Sequence, residues 1–247
     1  MSFYPIFKKE LRSYFSSMMA YVIIAAFLVV SGYFFHTNLV YYDVIRPNVS
    51  VNAGILWPLY INMTVVMLFM IPLLTMRLFS EEKKLGTIEI FFTYPLRDVE
   101  LLLGKFMACL CMFGLMLVLT CLYPILLATI YELEIGPVIS GYLGLFMMGT
   151  AFISLGILVS SLTENQIVAA MVTCALLFLL WGMALNEYML GPTWARVINH
   201  LSFLSHHRNL VKGIVETKSV VYYIDFSVFC LILTLLTLQS KRWRGLR

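Results

Sequence analysis

The chain has 247 residues, 61% of them hydrophobic and only 12% charged, with a mean hydropathy of +0.90. Soluble domains carry about a quarter charged residues, and half that number leaves too few polar groups to cover a globule in water. A soluble enzyme, a nucleic-acid reader and a disordered regulator are therefore disfavoured, and lipid is the solvent that fits.

The placement of the 30 charges says more than their number. Uncharged runs cover 13–42, 47–76, 106–131, 135–163 and 165–186, and a sixth, 219–240, is broken only by Asp225. Each exceeds the ~20 residues a helix needs to cross the hydrocarbon core. Helices satisfy their own backbone in lipid, and the runs are too long and too continuously apolar for barrel strands. The expectation is an all-α polytopic membrane protein, one transmembrane domain over 1–247. Its spans are 18–42, 53–79, 102–131, 138–162, 167–190 and 220–238. With a cytoplasmic N-terminus, twelve Lys and Arg fall inside and five outside, which predicts a multi-pass protein with both termini cytoplasmic. The net charge of +4 then reflects topology and faces lipid headgroups rather than nucleic acid. The first apolar run is too long for a signal peptide and is expected to remain.

Residues 3–15 read as an interfacial amphipathic helix. Phe3, Phe7, Leu11 and Tyr14 share a stripe, with Lys8, Lys9, Arg12 and Ser13 opposite. Pro58 and Pro72 are expected to kink span two. The segment 77–105 holds ten charges and reads as two short helices. Ser80 is expected to cap the first, which Gly86 ends in a left-handed conformation. Thr87 caps the second, with Glu89 in its first turn; Ile88, Ile90, Phe91 and Phe92 form an apolar side, and Tyr94-Pro95 stops it. Asp98 can cap span three, where Pro124 predicts a kink. In span four, Gly149, Gly156 and Ser160 line one face, a small-residue seam for close helix packing within the chain. A tight turn at 163–166 leads into span five. Outside, 191–219 carries apolar residues at helical spacing, first Trp194, Val197, Ile198, Leu201 and Leu204, then Leu210, Val211, Ile214 and Val215.

Chemistry-bearing motifs are absent: no GxxxxGK[ST], HExxH, GxSxG or GxGxxG occurs. All five cysteines fall within spans without ligand spacing and read as buried structural thiols. His206-His207, with His200, are poorly spaced for chelation and read as satisfied interfacial histidines, so no metal site is expected. Asp225 in span six and Glu187, beside Asn186 at the end of span five, are the acidic candidates, since an acid within a membrane costs free energy unless hydrated or paired.

The segment Thr75-Met76-Arg77, Glu82, Gly86-Thr87, Glu89, Thr93, Pro95-Leu96 and Gly104-Lys105 resembles the cytoplasmic signature of ABC-2 type transporter permeases, and the likeness covers the whole chain. Within that family Leu201-Ser202-Phe203, His206 and Gly213-Ile214-Val215 are most similar to the permease associated with bacterial gliding motility. The resemblance implies a bacterial inner-membrane subunit that binds no cofactor itself. It pairs with a second permease, as a homo- or heterodimer, and with two copies of an ABC ATPase that use ATP and Mg. Membrane lipids surround it, and an accessory extracytoplasmic protein is compatible with it. Residues 87–93 would be the coupling helix, with Phe91 and Phe92 entering a groove of the ATPase. Arg77, Glu81 and Glu82 would stabilise the loop or touch the ATPase, and the N-terminal helix would act as a lever. The alternative is an ATP-independent channel or membrane scaffold; an intramembrane enzyme lacks any catalytic pair within a span.

Overall fold

The computed structural model describes residues 3–45, 49–86, 98–183 and 202–244. Every regular element among them is a helix. In chain order these are α1 (Phe3–Ser16), α2 (Met18–Ile45), a π-helical turn (Asn52–Leu56), α3 (Trp57–Thr75) and α4 (Arg77–Lys84). Then follow α5 (Asp98–Thr120), α6 (Leu122–Ala128), α7 (Ile135–Leu162), α8 (Gln166–Gly182), α9 (Phe203–Val211) and α10 (Thr217–Arg244). Among the described residues five stretches are long and apolar enough to cross a membrane: Met18–Val44, Asn52–Lys84, Asp98–Ala128, Ile135–Leu162 and Thr217–Ser240. The sixth expected span is represented by the shorter apolar helix Gln166–Gly182, which ends next to residues outside the described part.

The central helix is α7, which packs against α3, α4, α5, α8, α9 and α10. Bringing helices together in lipid gains little hydrophobic free energy, so close approach and hydrogen bonds carry the association. The glycines of α7 permit that approach. A Cβ on Gly149 would lie 2.1 Å from the Phe113 ring of α5, and one on Gly156 would lie 2.2 Å from Thr75 Oγ1 of α3. The small-residue seam is thus an intramolecular packing face, with α5 seated at one level and α3 at another.

Ser160, one turn beyond Gly156, explains the break between α3 and α4. Its hydroxyl accepts from the backbone N–H groups of Phe79 (3.1 Å) and Ser80 (3.2 Å), and donates to Met76 O (3.1 Å). One donor and two acceptor sites are all that a hydroxyl offers, and here all are used. A side chain inserted into the backbone ladder is a recognised cause of a helix kink. Pro72 lies inside α3 four residues before the break, and Pro58, in the first turn of α3, follows closely on the π-helical turn Asn52–Leu56, an irregularity that goes with a missing N–H inside a continuous helical stretch.

The third apolar stretch breaks at Cys121, ahead of Pro124. Pro124 cannot donate to Thr120 O, and the hydroxyl of Tyr142 on α7 supplies that bond at 2.8 Å. Between α7 and α8 the tight turn is closed by Asn165, whose side chain caps α8 by accepting from Ile167 N at 2.9 Å.

Later in the chain, α9 packs on α7 and α8. Gly213 ends α9 at φ +89°, in the left-handed region glycine tolerates. This stop corrects the expected apolar face: Leu210 and Val211 are buried, but Ile214 and Val215 lie past the helix and are exposed. The cysteines also divide. Cys109 and Cys230 are buried, Cys121 and Cys174 are half-buried, and Cys111 faces outward.

Candidate functional site

Charged residues converge at one end of the bundle, where α1, α4 and the start of α5 meet. Helix α1 forms because its apolar residues recur at helical spacing, but its inner face touches protein more than the stripe of Phe3, Phe7, Leu11 and Tyr14 suggests. Ile6 is its buried residue. It sits over Gly104 of α5, where an added Cβ would come within 2.8 Å of Ile6 Cγ2. Further along, the Tyr14 hydroxyl donates to Leu74 O at 2.9 Å, tying α1 to α3. Phe7 and Leu11 are half-buried, while Lys8, Lys9 and Arg12 are exposed on the far side as expected.

Next to the Ile6–Gly104 contact lies Lys105, only 1% exposed. Its Nζ donates to Glu10 Oε1 of α1 at 2.9 Å and to Glu82 Oε1 of α4 at 2.7 Å. The ammonium also stands 5.3 Å from the centroid of the Phe79 ring, within cation–π range. Both carboxylates are mostly enclosed, with side chains 13% and 15% exposed. Burying such a set costs desolvation that its Coulomb attraction largely offsets, so its net worth is small. Removing one member, however, strands a buried charge at a cost of about 3–5 kcal/mol. The triad therefore holds three helices in one arrangement rather than adding much net stability.

Helix α4 is fixed at both ends. At its start, Arg77 Nη1 donates to Ser17 Oγ at 3.3 Å, at the α1–α2 junction, and Nη2 reaches the Met19 sulfur. At its end, Lys83 donates to Ser161 O in the last turn of α7, where a cation suits the helix dipole. Ser80 is not a cap. It is wholly buried inside α4, its hydroxyl donating back to Met76 O, and the N-cap position belongs to Met76. The reason is that α4 continues α3 across the Ser160 insertion, leaving no free first turn to cap. Gly86 ends α4 at φ +69°, the expected left-handed stop.

Of the residues singled out in sequence, Arg77 and Glu82 thus meet at this junction, and Glu81 is half-buried beside them. Thr87, Glu89, Phe91, Phe92 and Pro95 lie outside the described residues, as do Glu187, Asn186, Trp194 and His200. Asp225 sits on the outer, exposed face of α10 and is not drawn into the junction.

The two histidines are separated by their surroundings. His206 stacks on Tyr222 at 4.3 Å and lies 3.3 Å from Ser219 Oγ. His207 is fully buried against Gly144 of α7, with both ring nitrogens unbonded. It lies outside the membrane-spanning stretches, and burial pushes its pKa down to about 4. Among the described residues no cluster of His, Cys, Asp or Glu could hold a metal ion.

Comparison with protein families settles the class: residues 4–239 match the family described as ABC-2 family transporter protein. The chain belongs to this family. The ABC-2 domain is a membrane component of transporters rather than the ATPase itself, and membership implies an ABC ATPase partner. No curated protein matches the chain.

Within this ABC-2 protein the junction contains residues that sequence reasoning passed over. Glu10 is one, and its signal was present: it falls three residues after Phe7 and four before Tyr14, on the inner stripe of α1. An acid within an apolar stripe points to a buried cation. In the sequence Lys105 reads only as a loop charge and part of the Gly104-Lys105 signature, and Phe79 only as the end of span two. Ser160 was read as a small residue, although its hydroxyl is what α4 uses.

Proposed function

We propose that this chain is the permease subunit of an ABC-2 transporter that couples ATP hydrolysis by a separate ATPase to export or mechanical work across a bacterial inner membrane. Two such subunits, alike or different, associate with two ATPase copies, and ATP and Mg are used on the partner. Both termini face the cytoplasm, in keeping with the twelve-to-five distribution of basic residues. The sequence pattern favours the gliding-motility-associated branch of the family.

The observation that carries this reading is the Glu10–Lys105–Glu82 triad. It joins the N-terminal amphipathic helix, α4 and α5 at the end of the bundle that leads into residues 87–97. Those residues hold the apolar Ile88, Ile90, Phe91 and Phe92 expected to enter the ATPase. A push on that segment is transmitted through α4 to α1 and α5 together, because the triad and the Lys83–Ser161 contact allow little independent motion. Co-expression with the ATPase encoded alongside, followed by affinity purification and mass determination, tests the reading. The expected product contains two ATPase copies and hydrolyses ATP. Hydrolysis by the chain alone, or failure of the ATPase to co-purify, overturns it.

A further inference from the structure

Beside the triad, α1, α2, α3, α4 and α5 enclose a partly open cavity of about 620 Å³. We propose that it holds one zwitterionic phospholipid of the surrounding bilayer, its phosphate on Arg77 and its ammonium on Glu81. The volume lies within the ~300–1,000 Å³ range of small-ligand sites. It suits a headgroup and the upper part of one acyl chain, the remainder lying in the bilayer.

The lining is divided by depth. Ala20, Ile23, Leu73, Leu74 and Leu78 form an apolar wall. Met19 and Leu73 are exposed at its edge, so the opening is apolar on the side where α2 and α3 meet lipid. Arg77 and Glu81 stand above, one helical turn apart on α4.

Charge decides the headgroup. Three cations, Lys9, Arg77 and Lys105, and three carboxylates, Glu10, Glu81 and Glu82, line the cavity. Lys105 engages Glu10 and Glu82, and the charge of Lys9 also acts on Glu82, which leaves Arg77 and Glu81. Arg77 and Glu81 line the same space without forming an ion pair, and Arg77 meets only the neutral Ser17 hydroxyl and Met19 sulfur. A guanidinium and a carboxylate one turn apart, both facing a partly desolvated space, complement a ligand bearing phosphate and ammonium together. A singly anionic headgroup leaves Glu81 unmatched and repelled. A purely hydrophobic occupant strands both charges.

The test uses the full chain in nanodiscs of equimolar palmitoyl-oleoyl phosphatidylethanolamine and phosphatidylglycerol, released and weighed by native mass spectrometry. One retained phosphatidylethanolamine is expected, favoured over phosphatidylglycerol by about fivefold, the scale of one half-exposed charge pair. Glu81→Gln should erase that preference while keeping a bound lipid. Ala20→Phe, which fills the apolar wall, should lose the lipid. Should Ala20→Phe fail to fold, the half-exposed Glu81→Gln still decides. Undiminished preference in Glu81→Gln, retention by folded Ala20→Phe, or displacement of the lipid by soluble glycerophosphoethanolamine overturns the proposal. None of these outcomes depends on the ATPase, so failure here leaves ATPase association standing, and the reverse.

Discussion

Lys105 Nζ lies 2.7 Å from Glu82 Oε1, and the same ammonium reaches Glu10 Oε1, a residue 95 positions away in the chain. A charge in the first part of one membrane helix is therefore paired with acids from the helix before it and from the N-terminal helix. This makes the amphipathic start of the chain part of the transport domain rather than an appendage.

Replacing Lys105 with Met should lower stability by about 3 kcal/mol, because two enclosed carboxylates lose their cation. Glu10→Gln combined with Lys105→Met should cost less than the sum of the single changes, a coupling of about 1–2 kcal/mol. Equilibrium unfolding in mixed micelles measures both. Additive effects would show that Glu10 does not share the ion.

Ser160→Ala removes the donor to Met76 O and the acceptor that the Phe79 and Ser80 N–H groups share. The expected loss is about 1–3 kcal/mol, and Ser160→Thr should not restore it where the added methyl meets α4. Amide exchange at Phe79 and Ser80 should accelerate in the alanine variant. Unchanged exchange there would mean that the break between α3 and α4 has another cause.

Gly104→Ala places a methyl within 2.8 Å of Ile6 Cγ2 and should destabilise the docking of α1 by about 1–3 kcal/mol. Ile6→Ala opens that space, so the double variant should dock α1 better than Gly104→Ala alone. Protease accessibility of residues 3–16 reads this out, and equal accessibility of the single and double variants would contradict the contact.

The six apolar runs were legible because an uncharged stretch of some twenty residues has few fates other than a membrane helix. The seam on α7 was equally plain, since Gly149, Gly156 and Ser160 repeat at helical spacing. Long-range electrostatics were not. Helical periodicity shows that Glu10 shares a face with Phe7 and Tyr14, but nothing local identifies Lys105 as its partner. Ser80 illustrates the opposite failure: its position before a charged helix suggested a cap, and only the tertiary contact with Ser160 shows that the helix was already running. Likewise α9 stops at Gly213, so the apolar residues beyond it never form a second buried face.

Stability should also fall in acid. His207 has its pKa pushed down to about 4 by burial, against about 6.5 in an unfolded chain. The unfolded state therefore binds the proton first. The contribution of neutral His207 is complete above pH 6.5 and declines as pH drops towards 4, by about 3 kcal/mol in all. His207→Leu should flatten that part of the pH–stability curve in the same micelles. A curve of unchanged slope between pH 6.5 and 4 would show that His207 is not the titrating group.

The central claim is that an ATPase grips the apolar residues Ile88, Ile90, Phe91 and Phe92, between α4 and α5 in the chain, and that the triad passes its motion on. Its most direct measurement is the amount of co-expressed ATPase retained by the tagged full chain, compared with Phe91→Asp/Phe92→Asp. Charge at an interface anchor should reduce retention by at least about tenfold, with the helical content of the chain unchanged. Equal retention and equal ATP hydrolysis by the two complexes would contradict the account.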